Sequence, residues 1–218
     1  MKNALIPEEF KDARFDNYKI HYEVQKVMYE TTMSYLKAFP EIKDSQVNSF
    51  GIIAELGESY IRSQPPHHRA ELLDKYNSYG LGKTHLQMAL AKELIKQGHA
   101  VLCISDATFM HDLANAKRID DDGEEFNRLM GSVIQAPVLV WDDIGKSKYS
   151  ETKEDLYYQI INERWKARRP IIFSSNEDAN TLSDRIGPAA FSRLSGMAKD
   201  YLLIVKGPDY RLFGGQSG

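Results

Sequence analysis

Three short runs, "AVLCIS" at 100–105, "APVLVWDD" at 136–143 and "PIIFSSN" at 170–176, consist largely of Val, Ile, Leu and other apolar residues without alternating polar positions. A strand with one wet face alternates, whereas continuous apolar runs suit strands buried on both faces, as in parallel sheets with helices on either side. The intervening segments read as those helices. "HLQMALAKELIKQG" places Leu86, Leu90 and Leu94 on one face and ends at Gly98. A second helix is expected from about Thr152 to Arg168, with Asp155 completing a capping box, and a third around "AAFSRLSGMA" before a last strand, "YLLIV". The fold class that follows is α/β, a mostly parallel sheet flanked by helices.

Upstream the pattern is looser. Residues 1–17 are polar and contain Pro7, and the apolar spacing from His21 to Phe39 predicts an amphipathic helix ending before Pro40. Residues 41–76 hold a short apolar run, "FGIIAEL", and then "SQPPHHRAELLDKY", whose paired prolines can open a helix.

Composition narrows the functional classes. The 218 residues carry 28 Lys+Arg against 31 Asp+Glu, so a nucleic-acid surface has to be local rather than global. A single cysteine, Cys103, rules out a disulfide framework and a cysteine-based zinc site. With no signal-like N-terminus and no membrane-spanning apolar stretch, the expectation is a soluble, cytoplasmic protein that does not engage a membrane.

The chemistry is carried by "YNSYGLGKTH". Gly82-Lys83-Thr84 is the core of a phosphate-binding loop, in which backbone N–H groups wrap a β-phosphate, the lysine meets β- and γ-oxygens and the hydroxyl ligates magnesium. The candidate nucleotide-binding residues are Asn77, Ser78, Tyr79, Gly80, Leu81, Gly82, Lys83, Thr84 and His85. Asn77 stands where the first loop glycine belongs; asparagine is among the few residues that tolerate a left-handed backbone. By itself the segment reads equally well as a glycine-rich helix cap with Lys83 in solvent.

Downstream, Asp142 and Asp143 close the run "VLVWDD" at the carboxyl edge of the sheet, where parallel α/β folds bind ligands. One carboxylate can hold magnesium, with Thr84, and the next can orient an attacking water; alternatively they are turn-forming aspartates. A phosphate loop and an acidic strand end are independent requirements of one chemistry, and together they indicate a P-loop NTPase that uses ATP and Mg2+. Asn176, after "FSS", can sense a γ-phosphate or make an Asx-turn, and Arg193 and Arg211 can offset phosphoryl charge.

The series "GLGKTHL", "VLVWDDIG", "FSSN", "SRL" and "GPDYRL", preceded by "IPEEFKDARFDNY", resembles the DnaC/DnaI group of AAA+ ATPases. These are bacterial replicative-helicase loaders, and the group includes the IstB transposition helpers. The resemblance covers roughly Ile6 to Tyr22 and Asn77 to Leu212. It implies an AAA+ core without a large helical lid, Asp143 and Asn176 as catalytic and sensor residues, Arg193 as an arginine finger reaching a neighbouring subunit, and Arg211 as a second sensor. It also implies a hexameric replicative helicase as client, single-stranded DNA as a further partner, and self-association through the finger. The zinc module that such loaders can carry is not expected, because residues 1–76 contain no cysteine.

The expected organisation is an arm and helix at 1–45, a variable lead-in at 46–76, the AAA+ core at 77–213 and a tail at 214–218. "ELLDKY" is too charged for the buried strand that should lead into the loop. Two basic groups remain open between phosphate contact and ordinary surface: Arg164, Lys166, Arg168 and Arg169 in "RWKARR", and Lys117 with Arg118. His67 and His68 read as solvated. The functions consistent with these residues are ATP-driven helicase loading, an IstB-like transposition helper, a non-hydrolysing nucleotide-dependent adaptor and, less suited to them, a small-molecule kinase.

Overall fold

A computed structural model describes residues 8–76, 80–119 and 122–207. Five strands, β1 (Phe50–Ala54), β2 (Val101–Ser105), β3 (Val138–Asp142), β4 (Ile171–Ser174) and β5 (Leu202–Val205), form one parallel sheet in the order β2-β3-β4-β1-β5. The three apolar runs are β2, β3 and β4, and "YLLIV" supplies β5. Their two-sided burial is visible along β3: Val138 and Val140 enter one core, Leu139 and Trp141 the other.

One face is covered by α1 (Glu23–Ile42) and α4 (Lys83–Lys96), with Leu86, Leu90 and Leu94 fully buried as their spacing requires. The other is covered by α5 (Asp106–Ala116), α6 (Glu124–Gln135), α7 (Glu151–Lys166), α8 (Ala179–Ile186) and α9 (Pro188–Met197). Among the described residues no helix is long and apolar enough to cross a membrane.

Several local details differ from the sequence reading. Helix α1 runs through Pro40 to Ile42, and the Lys43 N–H still reaches Phe39 O at 2.9 Å, so the proline is absorbed in the last turn. The N-cap of α7 is Ser150, whose hydroxyl accepts from the Lys153 N–H; the Thr152–Asp155 pair lies inside the helix. The larger difference concerns the strand that belongs before the phosphate loop. It is β1, from "FGIIA", paired with both β4 and β5. The charged "ELLDKY" lies in α3 (Pro66–Tyr76), which follows α2 (Glu58–Ser63). Two helices are thus interposed where a phosphate loop ordinarily leaves its strand directly.

The basic cluster at the end of α7 also divides. Arg164 is fully buried and donates to the carbonyls of Val133 at 2.6 Å, Ala136 at 2.8 Å and Pro170 at 2.7 Å. It ties the C-terminal end of α6 to the entry of β4 and is not available to phosphates. Arg169 joins it on the carbonyl of Ile134 at 2.8 Å, while Lys166 pairs with Glu163 on the surface. Losing a donor costs about 1 kcal/mol per buried carbonyl, so Arg164→Leu is expected to lower unfolding stability by about 3 kcal/mol in urea titrations. An unchanged midpoint would remove Arg164 from the scaffold.

Candidate nucleotide site

The loop between Gly80 and Thr84 begins α4 at the carboxyl edge of the sheet, beside the ends of β3 and β4. Gly80 and Gly82 have φ of 64° and 88°, the left-handed region that glycine enters without a Cβ penalty. A Cβ on Gly82 would also stand 2.6 Å from the Tyr18 ring, so both backbone angle and space demand glycine here.

Behind the loop a continuous polar cluster links the separated motifs. Thr84 Oγ1 donates to Asp142 Oδ1 at 3.0 Å, and the Ser174 hydroxyl donates to the same oxygen at 2.8 Å. Lys83 Nζ donates to Ser175 O at 2.9 Å and to Asn176 Oδ1 at 2.5 Å. The Asn176 amide in turn donates to Asp143 Oδ1 at 2.8 Å. The Asp143 N–H donates to Ser174 Oγ at 3.1 Å, so Lys83, Thr84, Asp142, Asp143 and Asn176, scattered over more than ninety residues of sequence, share one hydrogen-bonded unit.

Its electrostatics are unusual for a loop. Lys83 is only 8% exposed, and burial lowers its pKa from 10.5 to about 8 against the opposing pull of Asp143 and Asp142. The lysine is therefore not a solvated loop cation, the alternative that the sequence left open. Burial likewise raises the Asp143 carboxyl above the usual range, with Lys146 the leading influence in the other direction. Asp143 has φ of 54°, turning the chain sharply as it leaves β3.

Residues that carried no motif complete the cluster. Gln87 sits one turn below Thr84 on α4, with its amide oriented so that nitrogen donates to Asp142 Oδ1 at 2.9 Å and to Ser174 Oγ at 3.0 Å. Its spacing from Thr84 was the available signal. Asp106 is fully buried, pushed upward in pKa by that burial, and accepts from Trp141 Nε1 at 3.0 Å, Tyr157 OH at 2.7 Å and the Ser147 N–H at 2.9 Å. It anchors the segment following Asp143. Arg185 donates to Gly145 O at 2.5 Å and pairs with Glu177 at 3.3 Å, beside Asn176.

The arm before α1 closes one side. Tyr18 OH donates to Leu81 O at 2.9 Å, the Tyr18 and His85 rings lie 5.4 Å apart, and His85 Nε2 lies 2.9 Å from Arg14 O. Lys92 pins the arm to α4 through the carbonyls of Phe10, Lys11 and Ala13. Between arm and loop is a cleft of about 270 Å³ lined by Asn17, Tyr18, Lys19, Gln25, Gly80, Gly82 and His85.

The structure does not gather every candidate. Arg193 on α9 lies over the rings of Tyr158 and Trp165 of α7, 5.0 and 5.4 Å from their centroids, and donates to Ala189 O. No contact joins it to the Lys83 cluster among the described residues. Lys117 lies 5.1 Å over the Phe126 ring. Asn77, Ser78, Tyr79 and Arg211 lie outside the described residues.

Residues 72–200 match the family model of IstB-like ATP binding proteins. Phage-like element PBSX protein XkdC of Bacillus subtilis (strain 168) is 24% identical over 95% of this chain and 70% of its own length. The replicative helicase loader DnaC of Escherichia coli (strain K12) is 24% identical over 84% of this chain but only 63% of its own length. In three dimensions the chain is similar to the crystal structure of the DnaC helicase loader, with a TM-score of 0.68 and 20% identity, covering 92% of this chain and 100% of that one. The five-stranded parallel sheet flanked by helices is a fold shared with that solved loader, with no large helical lid among the described residues. With the family model spanning more than half of the sequence, the chain belongs to the IstB-like ATP-binding proteins.

Proposed function

We propose that this chain binds ATP with Mg2+ at the Lys83 cluster, hydrolyses it, and uses the cycle to deliver a hexameric replicative helicase onto single-stranded DNA. The observation that carries the reading is the joining of Lys83, Thr84, Asp142, Asp143 and Asn176 in one hydrogen-bonded unit at the carboxyl edge of the sheet. Thr84 and Asp142, already 3.0 Å apart, would hold the magnesium, which offsets phosphate charge when bound. Lys83 turns from Ser175 and Asn176 to the phosphates, and the N–H groups from Gly80 to Gly82 wrap them. Asp143 orients the attacking water and Asn176 reports the γ-phosphate. The cleft under Tyr18 is the place for the base and sugar, with Tyr18 and His85 offering ring faces.

Likeness to a helicase loader supports the client, as does the shared fold. The family description favours a second reading, an IstB-like transposition helper with the same engine and a different client. ATP turnover measured alone, with single-stranded DNA, and with DNA plus the host helicase tests the proposal. Stimulation by DNA and helicase together is expected. Stimulation by a transposase and not by the helicase would favour the second reading, and no turnover under any condition would favour a nucleotide-dependent adaptor.

Arg193 is proposed as the finger offered to a neighbouring subunit, released from the Tyr158 and Trp165 rings on assembly. Arg193→Ala is then expected to bind ATP almost normally and hydrolyse it slower by about a thousandfold. Mixing it with Lys83→Ala pairs an intact site with an intact finger, so activity should exceed that of either variant alone. Mixed oligomers without recovered activity would assign Arg193 to its own chain or to the surface.

A further inference from the structure

Residues 55–76 lie between β1 and the phosphate loop, and the first turn of α2 sends a carboxylate back toward the nucleotide cluster. Glu58 is 4% exposed. Its N–H donates to Asn176 O at 2.9 Å, and the flanking Gly57 and Ser59 N–H groups donate to Asp178 and Glu177, each at 3.0 Å. The start of α2 is thereby clamped onto the segment that carries Asn176.

The Glu58 carboxylate pairs with Arg62 and accepts from Lys146 Nζ at 2.8 Å. The same Lys146 Nζ lies 3.7 Å from Asp143 Oδ2, beyond hydrogen-bond reach. Asp143 Oδ1 is taken by the Asn176 amide, whereas Oδ2 receives no hydrogen bond among the described residues. One ammonium thus stands between two carboxylates and is bonded to Glu58.

We infer that Glu58 is a positioning residue for hydrolysis: by holding Lys146 it keeps the ammonium off Asp143 Oδ2, leaving that oxygen open to the attacking water. The inference rests on the reading of Asp143 given above. In the step itself the water oxygen bonds to the γ-phosphorus as the bridging bond to ADP breaks, and the water proton passes by way of Asp143 to the released phosphate. An ammonium closing onto Oδ2 would occupy the acceptor through a charge-assisted bond and exclude the water from it. The interposed α2 is therefore part of the reaction centre's support, delivered by an insertion that the phosphate loop does not itself need.

The test is steady-state ATP hydrolysis and ATP affinity for Glu58→Gln, Glu58→Asp, each combined with Lys146→Ala, and Asp143→Asn as control, with folding checked by thermal melts. A neutral amide competes poorly with Asp143 for the ammonium, and an aspartate is one methylene too short to hold it. Each Glu58 single variant is expected to lose about tenfold in kcat with ATP affinity within about twofold, a loss confined to the reaction step. Adding Lys146→Ala should restore kcat to within about threefold of the parent, because the Lys146 ammonium is then no longer there to close onto Asp143 Oδ2. Single variants at the parent rate, double variants as slow as the singles, or a parallel loss of ATP affinity would each overturn the role of Glu58. Asp143→Asn turning over at the parent rate would instead overturn the reading of Asp143 on which the inference stands.

Discussion

Asp143→Asn is expected to bind ATP within about twofold of the parent and to hydrolyse it about a hundredfold or more slowly in single-turnover assays, the usual scale for a lost general base. The structure favours this substitution as a clean probe. The side-chain carbonyl of the introduced asparagine could still accept from the Asn176 amide, replacing the 2.8 Å bond to Oδ1. Asparagine also tolerates the φ of 54° that Asp143 adopts, which alanine does not. Loss of rate with an unchanged melting temperature would therefore report chemistry and not folding. A parent-like rate would leave Asp143 a turn residue.

Lys83→Met should have two opposite effects. ATP affinity is expected to fall by about a hundredfold or more, because the charge-assisted contacts to phosphate oxygens are lost. The nucleotide-free protein, however, should melt at or above the parent temperature at neutral pH. Burial holds the lysine pKa at about 8 in the folded chain against 10.5 in an unperturbed one, so carrying the charge costs on the order of 3 kcal/mol of stability below the lower value. The lost bonds to Ser175 O and Asn176 Oδ1, about 1 kcal/mol each, offset part of that gain. The unfolded parent binds more protons than the folded one between pH 8 and 10.5. The parent therefore gains stability relative to the variant as pH rises through that window, and the gap in melting temperature narrows. A variant less stable than the parent at every pH would mean that Lys83 is a net structural contact.

What the sequence revealed and what it hid have physical explanations. The runs that became β2, β3 and β4 were legible because burial on both faces leaves no polar alternation, and Asp142, Asp143 and Asn176 were legible as polar residues ending such runs. "FGIIA" was noticed as apolar, but the template of a strand running straight into a phosphate loop directed attention to "ELLDKY". The paired prolines did announce α3, which opens at Pro66 although it buries none of its side chains, but no pattern announced α2, which has six residues. Arg164 was obscured by its neighbours, since cations at a helix end ordinarily face water. Its burial depends on the carbonyl of Val133 in α6, which only the tertiary fold brings near, and on that of Pro170 at the entry to β4. Glu58 and Lys146, eighty-eight residues apart, meet for the same reason.

A titration of the purified chain with ATP, in magnesium and in chelator, tests the Lys83 cluster most directly. If Thr84 and Asp142 hold the metal against the phosphates carried by Lys83, magnesium should tighten ATP by about tenfold or more, and Asp142→Asn should erase most of that difference. Failure of the parent chain to bind ATP, or equal affinity with and without the metal, would contradict the assignment of this cluster as a magnesium–nucleotide site.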